Sequence, residues 1–299
     1  MSKTDAARQV VARALLGVPI GAQLPTTTEL STSAHAGNGT IQTALKSLED
    51  SGAIATTSHG SQGRRLVACD ILALWAASGR GSLTGIMPLP ESREFAGIAT
   101  AFTEVFARSG LHLQLLFRQG SSTRMSYMHR EVVDFSVLSL GAAKQTPGEH
   151  HILRLGPNTY YSRDAVVVIT AKGQSPRPWS RVAVDRNSID HTMLTMSEFP
   201  DAELVSTPYL FIGEAVANGV VDAAVWHRTT SSPLMTAEGL SVHEYSSSRS
   251  ESHDEYNEAA VAWRQSDAGV GRLLKDVVYA DEIRSIQKEV MDGQRVPQF

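Results

Sequence analysis

The sequence predicts an α/β chain: a winged helix-turn-helix head, mostly α with a β wing, followed by a two-lobed α/β body. Three observations carry the prediction. Between Leu24 and Val67 a capped short helix, an amphipathic helix and a glycine-tipped hairpin follow one another. From Leu83 onward apolar strand-like runs alternate with amphipathic helices, the pattern of crossover connections and parallel sheets. A late apolar strand, Asn257 to Trp263, stands where a chain that has left one lobe would return to it.

In order, a first helix is expected from about Thr4 to Leu16, with Ala7, Val10, Val11, Ala14 and Leu15 as its buried stripe. Gly17-Val18-Pro19 ends it. Thr26 and Glu29 form a capping box, each side chain satisfying a backbone N–H at a helix start. That helix stops near His35, because Gly37 and Gly39 break it. In the next helix Ile41, Ala44, Leu45 and Leu48 fall at the i, i+3, i+4, i+7 spacing of one apolar face. Its other face carries Thr40, Gln42, Thr43 and Lys46, and no carboxylate. Gly52 ends it, and strand-like runs at Ile54–Ser58 and Arg64–Val67 are joined across Gly60 and Gly63.

This layout places the second helix of the pair in a DNA major groove. Bases are expected to be read by Thr40, Gln42 and Thr43, with Lys46 on phosphate and Thr26, Thr27 and Asn38 beside them. The wing offers His59 or Gln62 and Arg64 or Arg65. Alternation along a strand puts the two arginines on opposite faces, so one of them is expected to be dispensable.

The head resembles the DNA-binding domain of GntR-type regulators. The matching residues are Leu24-Pro25, Leu30, Thr40-Ile41, Ala44-Leu45, Leu48, Gly52, and Gly60 with Gly63. It departs from them at two places. Gly37-Asn38 stands where those regulators carry Ser-Arg, and His35 replaces a turn glycine. A cap and a phosphate-binding arginine are thereby missing.

Composition is that of a globular chain, 42% apolar and 19% charged over 299 residues, long enough for two or three domains. Before Asp70 there are six Lys/Arg against four acids, so the head nets +2 while the whole chain nets −4. A weakly basic head on an acidic body fits a head that meets phosphate. So small a charge implies weak binding by one copy, and a homodimer on two half-sites is the expected remedy. The one cysteine, Cys69, excludes an internal disulfide framework. The N-terminal MSKTDAARQVVARALL lacks a signal-peptide core, and no stretch reaches the ~18 apolar residues of a span. A cytoplasmic location and no membrane partner are expected.

Past the wing, Cys69 to Ala77 reads as an amphipathic or strand-like linker, and Ser78-Gly79-Arg80-Gly81-Ser82 as the clearest boundary. The first lobe is expected to open with strand Leu83–Met87, a helix from Glu91 to Ser109 and strand Leu111–Phe117. Helix Ser121–Glu131 and strand Phe135–Leu140 continue it. The second lobe is read from strands Ala165–Ile169, Arg181–Asp185, Glu203–Ser206 and Ala223–Trp226, with helices at Ser188–Phe199 and Ile212–Gly219. Helices Asp267–Ala280 and Asp281–Asp292 close the chain.

Two lobes joined by two crossover strands resemble periplasmic-binding-protein-like type II domains. The whole chain resembles the YhfZ-type regulators, on the phrases GIMPLPESREFAGIATAF and IQKEVMDGQRVPQF. Such a resemblance implies domains at 1–69 (DNA-binding) and 83–299 (effector-binding), with a linker at 70–82. Lobe 1 would take about 83–163 plus 257–299, and lobe 2 about 170–245.

Catalytic chemistry is sparse. Glu149-His150-His151 is read as a solvated loop, not a metal site, because adjacent histidines point apart. No G-x-S-x-G elbow accompanies Ser136, Ser139 or His227, so no enzyme, cofactor or metal is expected. The loops at strand ends, where ligands sit in open parallel sheets, supply Ser92, Arg93, Gln119, Ser121, Ser122, Ser139, Asn187, Ser188, Thr207, Trp226 and His227. With helix N-termini facing a cleft and Arg93 as its cation, a small carboxylate or phosphate is the expected effector. The reading is therefore a transcription factor that senses a small anionic metabolite. The alternatives are a solute-binding protein, disfavoured by the head, and an enzyme on the same fold, disfavoured by the missing constellation.

Overall fold

A computed structural model describes residues 2–58, 63–161, 165–173, 178–228, 239–246 and 251–299. It divides into two compact units. The first comprises 1–83, 106–114 and 265–278, the second 84–105, 115–264 and 279–299.

The head consists of α1 (Lys3–Leu16), α2 (Thr27–Ala34), α3 (Asn38–Asp50), β1 (Ile54–Ser58) and β2 (Arg64–Cys69). Helix α1 buries Ala7, Val11, Ala12, Leu15 and Leu16, whereas Val10 and Ala14 of the expected stripe are only half-buried. The expected capping box forms: Thr26 Oγ1 accepts from the Glu29 N–H, and the Glu29 carboxylate accepts from the Thr26 N–H at 2.7 Å. Helix α3 buries Ile41, Ala44, Leu45 and Leu48, the four apolar positions read from the sequence. Strands β1 and β2 pair antiparallel, Ser58 opposite Arg64 and Ile54 opposite Cys69. Residues 21–24 run along the far edge of β2, with Gly21 N–H donating to the Leu66 carbonyl at 2.7 Å.

Residues 70–82, read as linker, carry α4 (Ile71–Ala77), capped by Asp70 and buried through Ile71, Leu74 and Trp75. An apolar run of seven residues is ambiguous by pattern. Two features outside it settle the helix: the Asp70 cap, and the Trp75 indole N–H donating to the Gly81 carbonyl at 3.0 Å. Helix α11 (Ala268–Val277) belongs to the same unit although it lies near the end of the chain. Arg272 donates from it to the Leu16 and Val18 carbonyls, and a bidentate Arg80–Asp267 pair fixes its first turn.

The body contains two five-stranded sheets. The first is built from β3 (Leu83–Met87), β4 (Leu113–Phe117), β5 (Phe135–Ser139), β6 (His150–Arg154) and β12 (Ala259–Arg264), in the order β4-β3-β5-β12-β6. The second uses β7 (Val166–Ala171), β8 (Arg181–Val184), β9 (Glu203–Ser206), β10 (Ala223–His227) and β11 (Leu240–Glu244), in the order β11-β7-β10-β8-β9. These are one topology twice. In each sheet a first strand lies between the second and the third, and a crossover strand separates the third from the fourth. The crossovers, β12 and β7, are antiparallel to both neighbours. Near-continuous apolar runs such as Val166–Ile169 and Ala259–Trp263 reflect burial on both faces.

Around the first sheet lie α5 (Arg93–Arg108), α6 (Ser121–His129), α7 (Leu140–Gln145), α10 (Glu251–Asn257) and α12 (Ala280–Met291). Around the second lie α8 (Ile189–Glu198) and α9 (Ile212–Ala217). Gln287 of α12 is buried and donates to the carbonyls of Glu94 and Thr159, which ties the C-terminal phrase to α5. The histidines expected in a solvated loop instead begin β6. His150 Nε2 meets the Ala143 carbonyl at 2.9 Å, and His151 packs on the Trp263 ring. Strand pairing with β12 outweighs the polar local composition. Among the described residues no group of three or more His, Cys, Asp or Glu could hold a metal, and no helix is long and apolar enough to cross a membrane.

Candidate functional site

Two places concentrate polar side chains that the fold does not need for itself: the outer face of α3, and the seam between the two lobes of the body.

On α3 the side chains of Asn38, Gln42, Thr43 and Lys46 are exposed, with Thr40 half-buried. Gln42 Nε2 donates to Thr27 Oγ1 at 3.0 Å, so the two helices present one joined polar surface. Asn38 accepts from Ser31, and Thr43 donates to the Gly39 carbonyl one turn back. Thr26 is occupied by its capping box. His35, standing where a turn glycine is usual, adopts φ 47, ψ 44. Gly37 caps α3 without a side-chain bond. In the wing Arg64 pairs with Glu49 at 3.6 Å, whereas Arg65 donates to the Gly21 carbonyl at 3.1 Å. His59 and Gln62 lie outside the described residues.

The seam is closed by backbone and side chain alike. The Ser122 N–H donates to the Asn187 carbonyl at 3.1 Å, and the Ile189 N–H donates to Ser121 Oγ at 2.9 Å. Ser139, which caps α7, donates its hydroxyl to Asp190 on the first turn of α8. Gly120 permits this approach: its φ is +84, and a Cβ there would stand 2.7 Å from the Asn187 carbonyl oxygen.

Beside the seam is a cavity of about 40 Å³, room for a water or a few. Aromatic rings wall it. Phe95 and Tyr161 lie 5.5 and 4.8 Å from the His227 ring, and Tyr209 stacks on Trp226 at 4.8 Å. Its cation is Arg124, only 2% exposed. Arg124 donates to the carbonyls of Val137 and Arg118 and to the Tyr160 hydroxyl. A guanidinium carries five N–H donors, so some remain unspent. Among the described residues no carboxylate lies at salt-bridge distance from it, although Asp190 is near enough to feel its charge. Trp226 Nε1 and His227 Nε2 are buried without a hydrogen-bond partner. The lining thus holds an unpaired indole N–H and an unpaired imidazole nitrogen beside Arg124, together with the carboxyls of Glu91 and Asp185.

Burial governs titration here. His227 is held down at about 4 by desolvation, only partly countered by Glu94. His191 is lowered by burial too, its ring set between the Asp185 N–H and the Val225 carbonyl. Glu91 and Asp190 are raised by desolvation; at Asp190 the Ser139 hydroxyl, Arg124 and Ser121 oppose that rise. Tyr160, Tyr161 and Tyr209 are pushed up for the same reason.

Of the residues expected in the cleft, Gln119, Ser188, Trp226 and His227 line the cavity, and Ser121, Ser122, Ser139 and Asn187 form the seam. Ser92 caps α5 through the Phe95 N–H, and Thr207 bonds within its own strand end. Arg93, expected as the cation, is exposed and donates to the Met291 carbonyl at 2.9 Å, away from the cavity lining. Arg124 takes its place. The signal for it was Ser121, Arg124, Met125 and Met128 at helical spacing, the face that α6 buries.

Residues 70–299 match the model of the YhfZ C-terminal domain, and residues 19–66 match a helix-turn-helix domain. YhfZ of Escherichia coli strain K12 is 30% identical over 294 residues, 97% of this chain and 95% of that protein. The chain belongs to the YhfZ family. YhfZ from Shigella flexneri superposes with a TM-score of 0.62 at 27% identity, covering 77% of this chain and 98% of that one. The periplasmic aliphatic sulphonate binding protein SsuA from Escherichia coli gives 0.51 at 14% identity, over 72% and 76% of the two chains, a likeness of fold alone. The YhfZ-type plan is a helix-turn-helix region followed by an α/β domain of the two-lobed periplasmic-binding type. That combination of domains suggests a DNA-binding regulator.

Proposed function

We propose that this chain is a cytoplasmic transcriptional regulator that binds operator DNA as a dimer through a GntR-like head, residues 1–69. Its body, residues 83–299, senses a small metabolite bearing a carboxylate or a related oxyanion. The observation that carries the effector reading is Arg124, buried in the cavity wall with N–H donors to spare and no salt bridge among the described residues. A buried guanidinium without a salt bridge is costly, and the unspent Trp226 indole N–H adds to that cost. A ligand rich in acceptor oxygens relieves both, and charge-assisted bonds to Arg are the strong ones. Aromatic walls suit a partly apolar ligand body. The cavity as it stands is too small for a metabolite, so binding requires the lobes to part.

On the DNA side, Gln42 pairs with adenine and Lys46 with phosphate, flanked by Thr27, Asn38, Thr40 and Thr43. One of Arg64 and Arg65 serves the wing.

Thermal-shift screening of the full chain against small carboxylates, phosphates and neutral sugars tests the effector reading. A carboxylate or phosphate is expected to raise Tm, and Arg124→Gln to abolish the rise. Stabilisation by a sugar alone, or a carboxylate response indifferent to Arg124→Gln, contradicts it.

A further inference from the structure

Asp190 is the one seam residue whose chemistry the cleft reading leaves unused. Its carboxyl is 1% exposed and belongs to the second lobe, yet it is gripped by the first. The Ser139 hydroxyl donates to one of its oxygens, and Ser121, 1% exposed, stands close enough to favour the charged form as well. Its other oxygen, Oδ2, is buried without a hydrogen-bond partner. The N-termini of α6 and α8, helices of nine and ten residues, both end at this point and favour negative charge there.

We propose that Ser121 and Ser139 form a carboxylate seat at the lobe seam, and that Asp190 fills it as a built-in ligand. An external carboxylate takes the seat when the lobes part. The exchange has a physical reason. Asp190 satisfies one oxygen and strands the other, and an unmade bond on a buried acceptor costs roughly 1–3 kcal/mol. An entering carboxylate can place its second oxygen toward the unspent donors of Arg124 or Trp226, and so satisfies more of the site than Asp190 does. Asp190 therefore holds the lobes shut only until such a group arrives. This inference rests on the reading of the cleft as the effector site.

The test is chemical rescue in the full-length chain with formate, the smallest carboxylate. Asp190→Ala empties the seat. Formate is expected to raise the Tm of this variant by about 3–5 °C at ~10 times its dissociation constant. Chloride at equal ionic strength should do nothing, and the parent chain, where formate must first displace Asp190, should respond clearly less than the variant. Adding Ser139→Ala to Asp190→Ala should remove the rescue. An equal response in parent and variant, or none in the variant, overturns the proposal. Should Asp190→Ala fail to fold in chloride, its refolding yield in formate against chloride reads the same quantity, and equal yields overturn it. Failed rescue removes the seat and leaves the Arg124 reading standing. Intact rescue with an indifferent Arg124→Gln does the reverse.

Discussion

Gly120→Ala isolates how much the closure of the seam depends on backbone approach. The native residue sits at φ +84, where an L side chain is strained by roughly 1–2 kcal/mol. The added Cβ would also lie 2.7 Å from the Asn187 carbonyl oxygen, an approach real Cβ atoms essentially never make, and 3.1 Å from the Asn187 Cβ, a tight contact. The oxygen belongs to backbone, so the clash is relieved by moving one lobe from the other. Separation would forfeit the Ser122–Asn187 and Ile189–Ser121 hydrogen bonds, each worth about 1 kcal/mol. Together the strain and the lost bonds come to about 3–4 kcal/mol, which at ~2–4 °C per kcal/mol lowers Tm by roughly 6–16 °C. The part relieved by opening should appear as an increased radius of gyration in small-angle X-ray scattering. A variant with unchanged Tm and unchanged scattering would refute the account of the seam.

Three further outcomes are expected. His35→Gly should stabilise the head by about 1 kcal/mol in urea unfolding, because φ 47 suits glycine better than histidine; a destabilised variant would show that the imidazole makes a compensating contact. Gln42→Ala should relax sequence preference, each lost base contact being worth ~1–3 kcal/mol, whereas Lys46→Ala should weaken all sequences alike and flatten the salt slope of binding; unchanged preference in Gln42→Ala would move the reading face elsewhere. His227, at about 4 when folded, binds its proton less readily than in the unfolded chain, so it contributes stability above the unfolded value near 6.5 that is lost as pH falls toward 4. The span is about 3 kcal/mol. Urea midpoints of the parent should therefore fall between pH 7 and 5 by more than those of His227→Phe, and equal slopes would contradict its burial. Asp190, raised by burial, works in the opposite sense, its contribution fading as pH rises through its folded value.

The head was legible because its signals are local. The Thr26–Glu29 box and the Ile41, Ala44, Leu45, Leu48 face each lie within two turns, and tertiary packing has little left to decide. The lobes were legible as alternation, since apolar strands at β3, β5 and β7 are separated by amphipathic helices. Helix α4 was not, because its cap and its tryptophan partner lie outside the apolar run. Strand β6 was hidden for a related reason: two adjacent histidines look solvated until β12 pairs with them. The cleft cation was assigned to Arg93 on the grounds of helix position alone. Which arginine turns inward depends on what else shares its face: Arg124 rides with two buried methionines, while Arg93 reaches along the surface to Met291. Of the aromatic wall only Trp226 was expected, because Phe95, Tyr161 and Tyr209 come from three other parts of the chain.

The central claim couples a DNA-reading head to a carboxylate-reading cleft. Fluorescence anisotropy of the full chain on labelled DNA from upstream of its own coding region, with the carboxylate found by thermal-shift screening titrated in, tests both halves at once. The account predicts sequence-preferring binding that the carboxylate shifts by 5-fold or more, about 1 kcal/mol of coupling, and that loses the shift in Arg124→Gln. Binding no tighter than to unrelated DNA, or an affinity that the ligand leaves unchanged, would contradict it.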